Sequence, residues 1–282
     1  MQITMQDLLE AGCHFGHRTQ KWNPKMKKFI YGSKAGIHII DLEQTAHALN
    51  RALGFLKRIV SEGQTVLFVS TKSQTTNILP EKALACGMPY VSTRWLGGLL
   101  TNFSTIKRRI KHYRDLEEAR DTGALEKYTK KEIILFEREL AKLDRLFKGV
   151  KELKALPDAI FVADPLRDEL AVKEANILGI PLIAICDTNS DPGLIDYPIP
   201  ANDDAVKSLE LIISLVSSVV GEHFKTRAKK EAQPAAAAAP KAPAAKIEIK
   251  PEDLKAKDEG EAPAPEKKTV RSKPAAKKPA SK

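Results

Sequence analysis

Short apolar runs alternate with helical patterns along the chain through residue 220. The runs are rich in β-branched residues and do not alternate with polar ones, which is typical of strands covered on both faces. They lie at 65–70, 89–92, 159–163 and 182–186, with a weaker candidate at 196–200. Helical patterns follow at 42–61, 75–86, 168–178 and 206–220, the last behind an N-cap at Asn202 or Asp203. This alternation predicts a doubly wound α/β domain with a parallel sheet.

One interval, between the strands at 89–92 and 159–163, is far longer than a crossover between parallel strands needs. It carries two apolar stripes with intervals of three and four residues, the first at Phe103, Ile106, Ile110 and Tyr113, and the second at Ile133, Phe136, Leu140, Leu143, Phe147 and Val150. The sequence Asp-Thr-Gly at 121–123 predicts a turn between them. We therefore expect an antiparallel coiled-coil hairpin at 102–155 that projects from the α/β domain.

The charge is unevenly distributed along the 282 residues. Lys and Arg number 46 against 36 Asp and Glu, a net charge of +10 that favours a polyanionic partner such as nucleic acid, with an acidic membrane surface as the competitor. Residues 229–282 contribute +6 of this, and they contain eight prolines and no aromatic residue. Such a composition predicts disorder. The expected organisation is an α/β domain at 1–228, with the hairpin inserted, and a Lys/Ala/Pro-rich tail at 229–282.

Two cationic segments are candidates for contact with nucleic acid. The first, on the first hairpin helix, could follow a phosphate backbone, although a solvated helix face is the plainer interpretation. It consists of Lys107, Arg108, Arg109, Lys111 and Arg114. The second, at residues 14–31, interleaves cations with aromatics on a backbone that Gly16 and Pro24 predict to be irregular and extended. Its candidates are His17, Arg18, Lys21, Trp22, Lys25, Lys27 and Lys28. Its aromatics could also anchor the segment to the core, with aromatics inward and cations outward.

A third candidate segment, at 92–102, directly follows a predicted strand and contains Arg94 and the glycine pair Gly97 and Gly98. Paired glycines allow a backbone to approach a phosphate or another chain closely. Ligands of open α/β sheets bind at this end of the strands, so the segment is also where an enzyme would place its substrate. A tight turn into the hairpin, capped by Thr101 or Asn102, explains the segment equally well.

The chemistry that an enzyme would need is sparse. Asp164 and Asp187 at strand ends, followed by Asp191, Asp203 and Asp204, could hold Mg²⁺. No phosphate-binding glycine motif and no nucleophile or zinc-protease motif accompanies them. The donors Cys13, His14 and His17 supply at most three metal ligands in sequence, to which Asp187 or Asp204 could be added. We expect no catalysis, no cofactor and no small-molecule substrate, with an enzyme that uses the strand-end carboxylates as the alternative.

The cysteine content and the N-terminus bear on the compartment. Three scattered cysteines argue against a disulfide scaffold. Early acidic residues and the lack of a long apolar stretch argue against a signal peptide or a membrane span. The sequence therefore predicts a cytoplasmic protein without a membrane partner.

Several of these motifs together resemble the bacterial small-subunit ribosomal protein two family. They are LEAGCHFG at 9–16, His17-Arg18 with WNPKM at 22–26, RWLGGLLTN at 94–102, PDAIFV at 157–162, Asp164-Pro165, Glu174-Ala175, Gly-Ile-Pro at 179–181 and Asp-Thr-Asn at 187–189. The resemblance covers about residues 1–225. It implies a Rossmann-like (flavodoxin-like) domain with a protruding coiled-coil hairpin and no catalytic residues.

The same resemblance implies partners. Members of the family lie between the head and body of the small subunit, bound to small-subunit ribosomal RNA and neighbouring ribosomal proteins, and they support docking of ribosomal protein one. By position, the RNA-facing regions correspond to the N-terminal cationic segment and the hairpin. A free nucleic-acid-binding protein that acts through its basic tail is the remaining alternative.

Overall fold

The computed structural model describes the backbone of residues 4–232 and the side chains of 4–125 and 127–224. Its helices are α1 (Met5–Glu10), α2 (Leu42–Ser61), α3 (Ile78–Ala85), α4 (Phe103–Asp121), α5 (Lys130–Phe147), α6 (Glu169–Leu178) and α7 (Val206–Ala232). Its strands are β1 (Phe15–Arg18), β2 (Ile30–Lys34), β3 (Ile37–Ile40), β4 (Val66–Val69), β5 (Tyr90–Val91), β6 (Ala159–Val162), β7 (Leu182–Cys186) and β8 (Tyr197–Pro200). The predicted tail, apart from its first four residues, lies outside this range.

The five predicted strands form one parallel sheet in the order β5-β4-β6-β7-β8. Counted along the chain from β4, this is the order 2-1-3-4-5 of flavodoxin-like sheets. The order reverses between β4 and β6. The carboxyl ends of these two strands therefore border the crevice where proteins of this architecture bind their ligands.

Both faces of the sheet are buried, as the unbroken apolar runs predict. Val66 and Phe68 pack in one cluster with apolar side chains of α2, α3 and α7. Leu67 and Val69 point to the opposite face because side chains alternate along a strand, and they too are fully buried. Helix α6 contacts β7. The prediction of a parallel sheet flanked by helices is confirmed.

The predicted helices are present, but α3 and α7 differ in their bounds and α1 was not predicted. Helix α7 continues beyond residue 220 to Ala232 and so includes the first four residues of the predicted tail. The predicted helix at 75–86 is shorter, because residues 73–75 form a separate 3-10 turn and α3 begins at Ile78. The Asn202 side chain accepts hydrogen bonds from the backbone of Asp204 (2.8 Å) and Ala205 (3.1 Å) just before α7 begins. Among the described residues no helix is long and apolar enough to cross a membrane.

The N-terminal segment is extended in β1 and β2, as predicted, but it is more regular than predicted, and residues 24–29 between these strands form a 3-10 helix. Strands β1, β3 and β2 form a separate antiparallel sheet, and Ala35 and Gly36 turn the chain between β2 and β3 with positive φ angles. The sequence did not reveal these strands because they mix apolar and polar residues instead of forming an apolar run, and two of them contain glycine. Gly16 is needed for a close approach, since a Cβ there would lie 2.6 Å from Thr188 Cγ2 in the loop after β7.

The long insertion consists of α4 and α5, which contact each other. The Tyr113 hydroxyl donates to Asp144 Oδ1 at 2.7 Å, and His112 Nε2 lies 3.2 Å from Glu139 Oε1. Most of the predicted apolar positions are buried, while three are only half-buried: Phe103, Ile133 and Leu143. The predicted pair of helices is present, and its packing as a projecting coiled coil stays a prediction.

Candidate functional site

The carboxyl end of the sheet is occupied by charged side chains that bond one another. Lys72 follows β4, and its Nζ lies 3.1 Å from Asp164 Oδ2, 3.0 Å from Asp203 Oδ1 and 2.9 Å from Asp204 Oδ1. The ammonium also donates to the carbonyl oxygen of Asp203 at 2.7 Å. Burial opposes the charge of Lys72, but the aspartates outweigh burial and raise the pKa of the ammonium. Lys72, Asp164 and Asp203 are all buried.

His17 joins this group from β1. Its Nδ1 lies 3.1 Å from Asp187 Oδ2 and its Nε2 lies 3.4 Å from Asp204 Oδ2. The hydrogen bond with Asp187 is the largest of the effects that raise the pKa of His17. Burial, followed by the charges of Asp187 and Asp164, raises the pKa of Asp203 to about 7. We call these six side chains the strand-end cluster: His17, Lys72, Asp164, Asp187, Asp203 and Asp204.

Part of the strand-end cluster could hold a divalent cation. His17, Asp187 and Asp203 each offer one donor atom, and these atoms lie within 4.8 Å of one another. Cys13, a candidate from the sequence, does not belong to this group of donors, because its Sγ accepts a hydrogen bond from Ser208 Oγ at 3.2 Å. His17 is therefore committed to the strand-end carboxylates, and its predicted place among RNA-facing cations has no support from the geometry.

The segment at 92–102 wraps around a carboxylate of the protein itself. Glu174 of α6 accepts hydrogen bonds from Trp95 Nε1 (3.0 Å) and from the backbone of Gly98 (2.8 Å), Leu100 (3.0 Å) and Thr101 (3.1 Å). Burial alone would raise the pKa of Glu174, but these donors outweigh burial and lower it. The glycine pair was expected to let the backbone approach a phosphate. Instead, the backbone N–H of Gly98 donates to a carboxylate of the same chain. The signal for this in the sequence was a lone glutamate on the otherwise apolar inner face of α6.

The other cations of the N-terminal segment lie at the surface. Lys25 is paired with Asp191, Nζ to Oδ2 at 2.7 Å. Arg18, Lys21, Lys27 and Lys28 are exposed. The four cations therefore remain available to a polyanion.

The expectation of inward aromatics holds only in part. Phe29 is buried, and Trp22 is half-buried with its ring centroid 5.3 Å from that of His38. Phe15 and Tyr31 instead point outward, with 51% and 82% of their surface exposed. The physical reason is the antiparallel sheet, because alternate side chains of a strand face opposite sides.

Helix α4 separates its cations into two groups. Lys107, Arg108, Arg109 and Lys111 are exposed and make no ion pair among the described residues; we call them the α4 cation face. Arg114 instead donates to the Lys151 carbonyl oxygen and to Glu152 Oε2, the latter at 3.2 Å. Arg114 is therefore held within the chain rather than extending the exposed row. Arg94, in the loop before α4, is also exposed.

Together these observations define an α/β protein whose strand-end charges bond one another. Its predicted binding cations, other than His17, Lys25 and Arg114, are exposed and form no ion pair among the described residues. The model of the ribosomal protein S2 family matches residues 8–222. The chain belongs to this family, whose members are structural components of ribosomes and not enzymes. The prediction that the chain is not an enzyme is confirmed by its family.

Curated relatives agree with the family. A protein of Mycolicibacterium vanbaalenii is 48% identical over 237 residues, which cover 84% of this chain and 87% of that protein. A protein of Nocardia farcinica is 49% identical over 226 residues, 80% of this chain and 79% of that protein, and one of Nitratiruptor is 48% identical over 225 residues, 80% and 84%. All three relatives are named small ribosomal subunit protein uS2.

Proposed function

We propose that this chain is a structural constituent of the small ribosomal subunit, within the cytoplasm, and that it binds small-subunit ribosomal RNA through exposed cations. The α4 cation face is the observation that carries the proposal. No acidic residue lies in the first turn of α4, and all ion pairs of this helix among the described residues lie in its second half, from His112 to Asp121. An exposed row of cations without carboxylate partners favours a polyanion.

The N-terminal segment supplies a second RNA-binding surface in this proposal. Arg18, Lys21, Lys27 and Lys28 provide cations, and the exposed rings of Phe15 and Tyr31 offer faces on which unpaired bases can stack. Because the major groove of A-form RNA hides its base edges, we expect recognition by phosphate contacts and shape rather than by sequence.

The finer arrangement follows from the family resemblance and is part of the same proposal. It places the chain between head and body of the subunit, beside neighbouring ribosomal proteins, with ribosomal protein one docked through it where that protein exists. It also treats 102–155 as a coiled-coil hairpin inserted into a domain at 1–228. Buried apolar residues along both helices support that packing: Ile106, Ile110, Tyr113, Leu116 and Ala119 of α4, and Phe136, Leu140 and Phe147 of α5.

Charge reversal on the α4 cation face tests the proposal. The double variant Lys107→Glu/Lys111→Glu should lower the affinity for small subunits roughly tenfold, because two phosphate contacts become repulsive. Lys130→Glu/Lys131→Glu is the matched control, since these residues are also exposed and lie at the start of α5. The measurement is co-sedimentation of the full chain with small subunits across a salt series.

Three outcomes of this experiment are decisive. Equal loss in both double variants would show that total charge matters rather than α4. Normal occupancy by Lys107→Glu/Lys111→Glu would remove α4 from the interface. A chain shortened after Ala232 should still bind, and its failure to bind would favour the alternative in which the basic tail carries the affinity.

A further inference from the structure

A cavity lies at the point where the strand order of the parallel sheet reverses. Its volume is about 360 Å³, within the range of roughly 300–1,000 Å³ that small-molecule sites occupy. We call it the switch-point crevice; its lining residues are Thr71, Thr93, Arg94, Trp95, Arg167 and Asp168, with Leu170 at one side. These residues follow β4, β5 and β6, so three strand ends contribute to one cavity.

Two guanidinium groups border the crevice. Arg94 and Arg167 are exposed, and neither forms an ion pair within the described part of the chain. Arg167 Nε donates to Thr71 Oγ1 at 3.3 Å, which holds this side chain at the rim. The loop that carries Arg94 is fixed in turn, because Glu174 bonds the next residue, Trp95, at its indole nitrogen. Guanidinium groups bind phosphate through charge-assisted hydrogen bonds, so two of them at one rim favour a phosphate ligand.

The wall of the crevice contains a carboxylate with an unused acceptor. Asp168 is only 2% exposed, and its Oδ2 accepts the backbone N–H of Thr71 at 3.0 Å. Its Oδ1 has no hydrogen-bond partner among the described residues. A buried acceptor without a donor is costly, so this atom favours a ligand that carries a hydroxyl or amine hydrogen. Burial also raises the pKa of Asp168.

We infer that the switch-point crevice binds one ribonucleotide unit of an RNA strand. Arg94 and Arg167 hold the phosphate, and Asp168 Oδ1 accepts the hydrogen of the ribose 2′-hydroxyl. A phosphate next to a hydroxyl donor is what distinguishes an RNA backbone from DNA, which lacks the 2′-hydroxyl. This inference rests on the proposed function, because the RNA strand is supplied by the ribosome, and it adds a site that discriminates ribose from deoxyribose.

The test compares oligouridylate with oligodeoxyuridylate of equal length and base, by fluorescence anisotropy with the full chain. The wild type should bind the ribose strand about five- to tenfold more tightly, the equivalent of one typical hydrogen bond. Asp168→Asn keeps an oxygen for Thr71 but presents a donor to the crevice, so the ratio should fall to about one. Circular dichroism checks that the variant is folded.

A second variant tests the phosphate half of the site. Arg94→Gln/Arg167→Gln should weaken both strands about tenfold and reduce the salt dependence by about 1.4 in log–log slope, as expected for two lost contacts with a single strand. The control is Arg51→Gln/Lys57→Gln, which removes two exposed cations from α2. If the crevice variant matches this control, or if Asp168→Asn leaves the ribose preference unchanged, the inference is overturned.

Two further measurements distinguish an RNA strand from a free nucleotide as the ligand, and distinguish RNA binding at the crevice from RNA binding by the chain as a whole. Uridine 5′-monophosphate carries the same phosphate and 2′-hydroxyl, so it should displace oligouridylate only at much higher concentration than an unlabelled strand, which makes further phosphate contacts. Displacement at equal or lower concentration that depends on Arg94 and Arg167 would make the crevice a free-nucleotide site and overturn the RNA assignment. Co-sedimentation with small-subunit ribosomal RNA tests the proposed function itself. If the wild type fails to bind this RNA, the proposed function fails. If the wild type and both crevice variants bind it equally, only the present inference fails.

Discussion

The strand-end cluster and the α4 cation face each contain lysine, but in opposite surroundings. Lys72 is buried and has three carboxylates within 3.1 Å of its Nζ. Lys111 is exposed and has no ion pair within the described residues. A buried charge needs partners because desolvation is costly, whereas an exposed charge can remain free for an external anion. The comparison therefore assigns the first region to stability and, within the proposed function, the second to binding.

Removing one ammonium group from each region gives the largest expected difference in stability between the two regions. Lys72→Met leaves Asp164 and Asp203 buried without their cation, so the free energy of unfolding should fall by about 3–5 kcal/mol. Lys111→Met should change it by no more than about 0.5 kcal/mol, as is usual at exposed positions. Urea denaturation at neutral pH measures both. Equal stability of the two variants would contradict the assignment.

The Glu174 carboxylate tests the same distinction between buried and exposed charges, with a smaller expected change in stability. Glu174→Gln keeps one acceptor oxygen but removes the charge and the other oxygen, so the backbone donors of Leu100 and Thr101 lose their partner. We expect a loss of about 1–3 kcal/mol in the free energy of unfolding. Glu169→Gln, on the exposed side of the same helix, is the matched control and should be nearly neutral. A loss confined to Glu169→Gln would refute the role of Glu174.

The pH dependence of stability gives a third test of the strand-end cluster. The pKa of Asp203 is about 7 in the folded chain, above the value of 3.8 for an unperturbed aspartate. Folding therefore favours protonated Asp203, and stability should fall as pH rises from about 4 to 7. His17, whose pKa is raised above 6.5, also contributes stability that is lost as pH rises through its folded pKa. Both groups titrate in the same direction.

Asp203→Asn isolates the contribution of the aspartate. It should flatten the pH profile of unfolding free energy, measured with a chelator present, by at least about 1.4 kcal/mol, the equivalent of one pKa unit. Lys72 remains bonded to the carbonyl oxygen of residue 203 in this variant, so the fold should survive. A profile parallel to that of the wild type would show that Asp203 does not titrate in this range.

The parallel sheet was predictable because unbroken apolar runs in the sequence mark its strands. The run at 182–186 is apolar at every position, and the strand has the same bounds in the structure. The strands β1 to β3 were not predictable in this way. They are four or five residues long, and their pattern is mixed, with Tyr31 exposed and Ile40 buried. Pairing with neighbouring strands, rather than local pattern, determines such strands.

The candidate site was only partly predictable for a similar reason. Exposure of Lys107 and Lys111 followed from helical spacing alone, since the apolar residues of α4 define the opposite face. The hydrogen bonds of Arg114 could not be predicted from this spacing, because its partners Lys151 and Glu152 lie beyond the next helix. His17 likewise contacts two aspartates, Asp187 and Asp204, that follow it by 170 residues or more.

Apolar periodicity and motif order in this chain determined the strands, the main helices and the family, because each depends on residues that are near one another in sequence. Only the tertiary structure decided which charges are neutralised and which remain free. Lys72, Arg114 and Glu174 are polar residues whose environment depends on distant segments, through hydrogen bonds and ion pairs that act over about 3 Å. The division between buried, paired charges and exposed, unpaired ones is therefore a property of the fold.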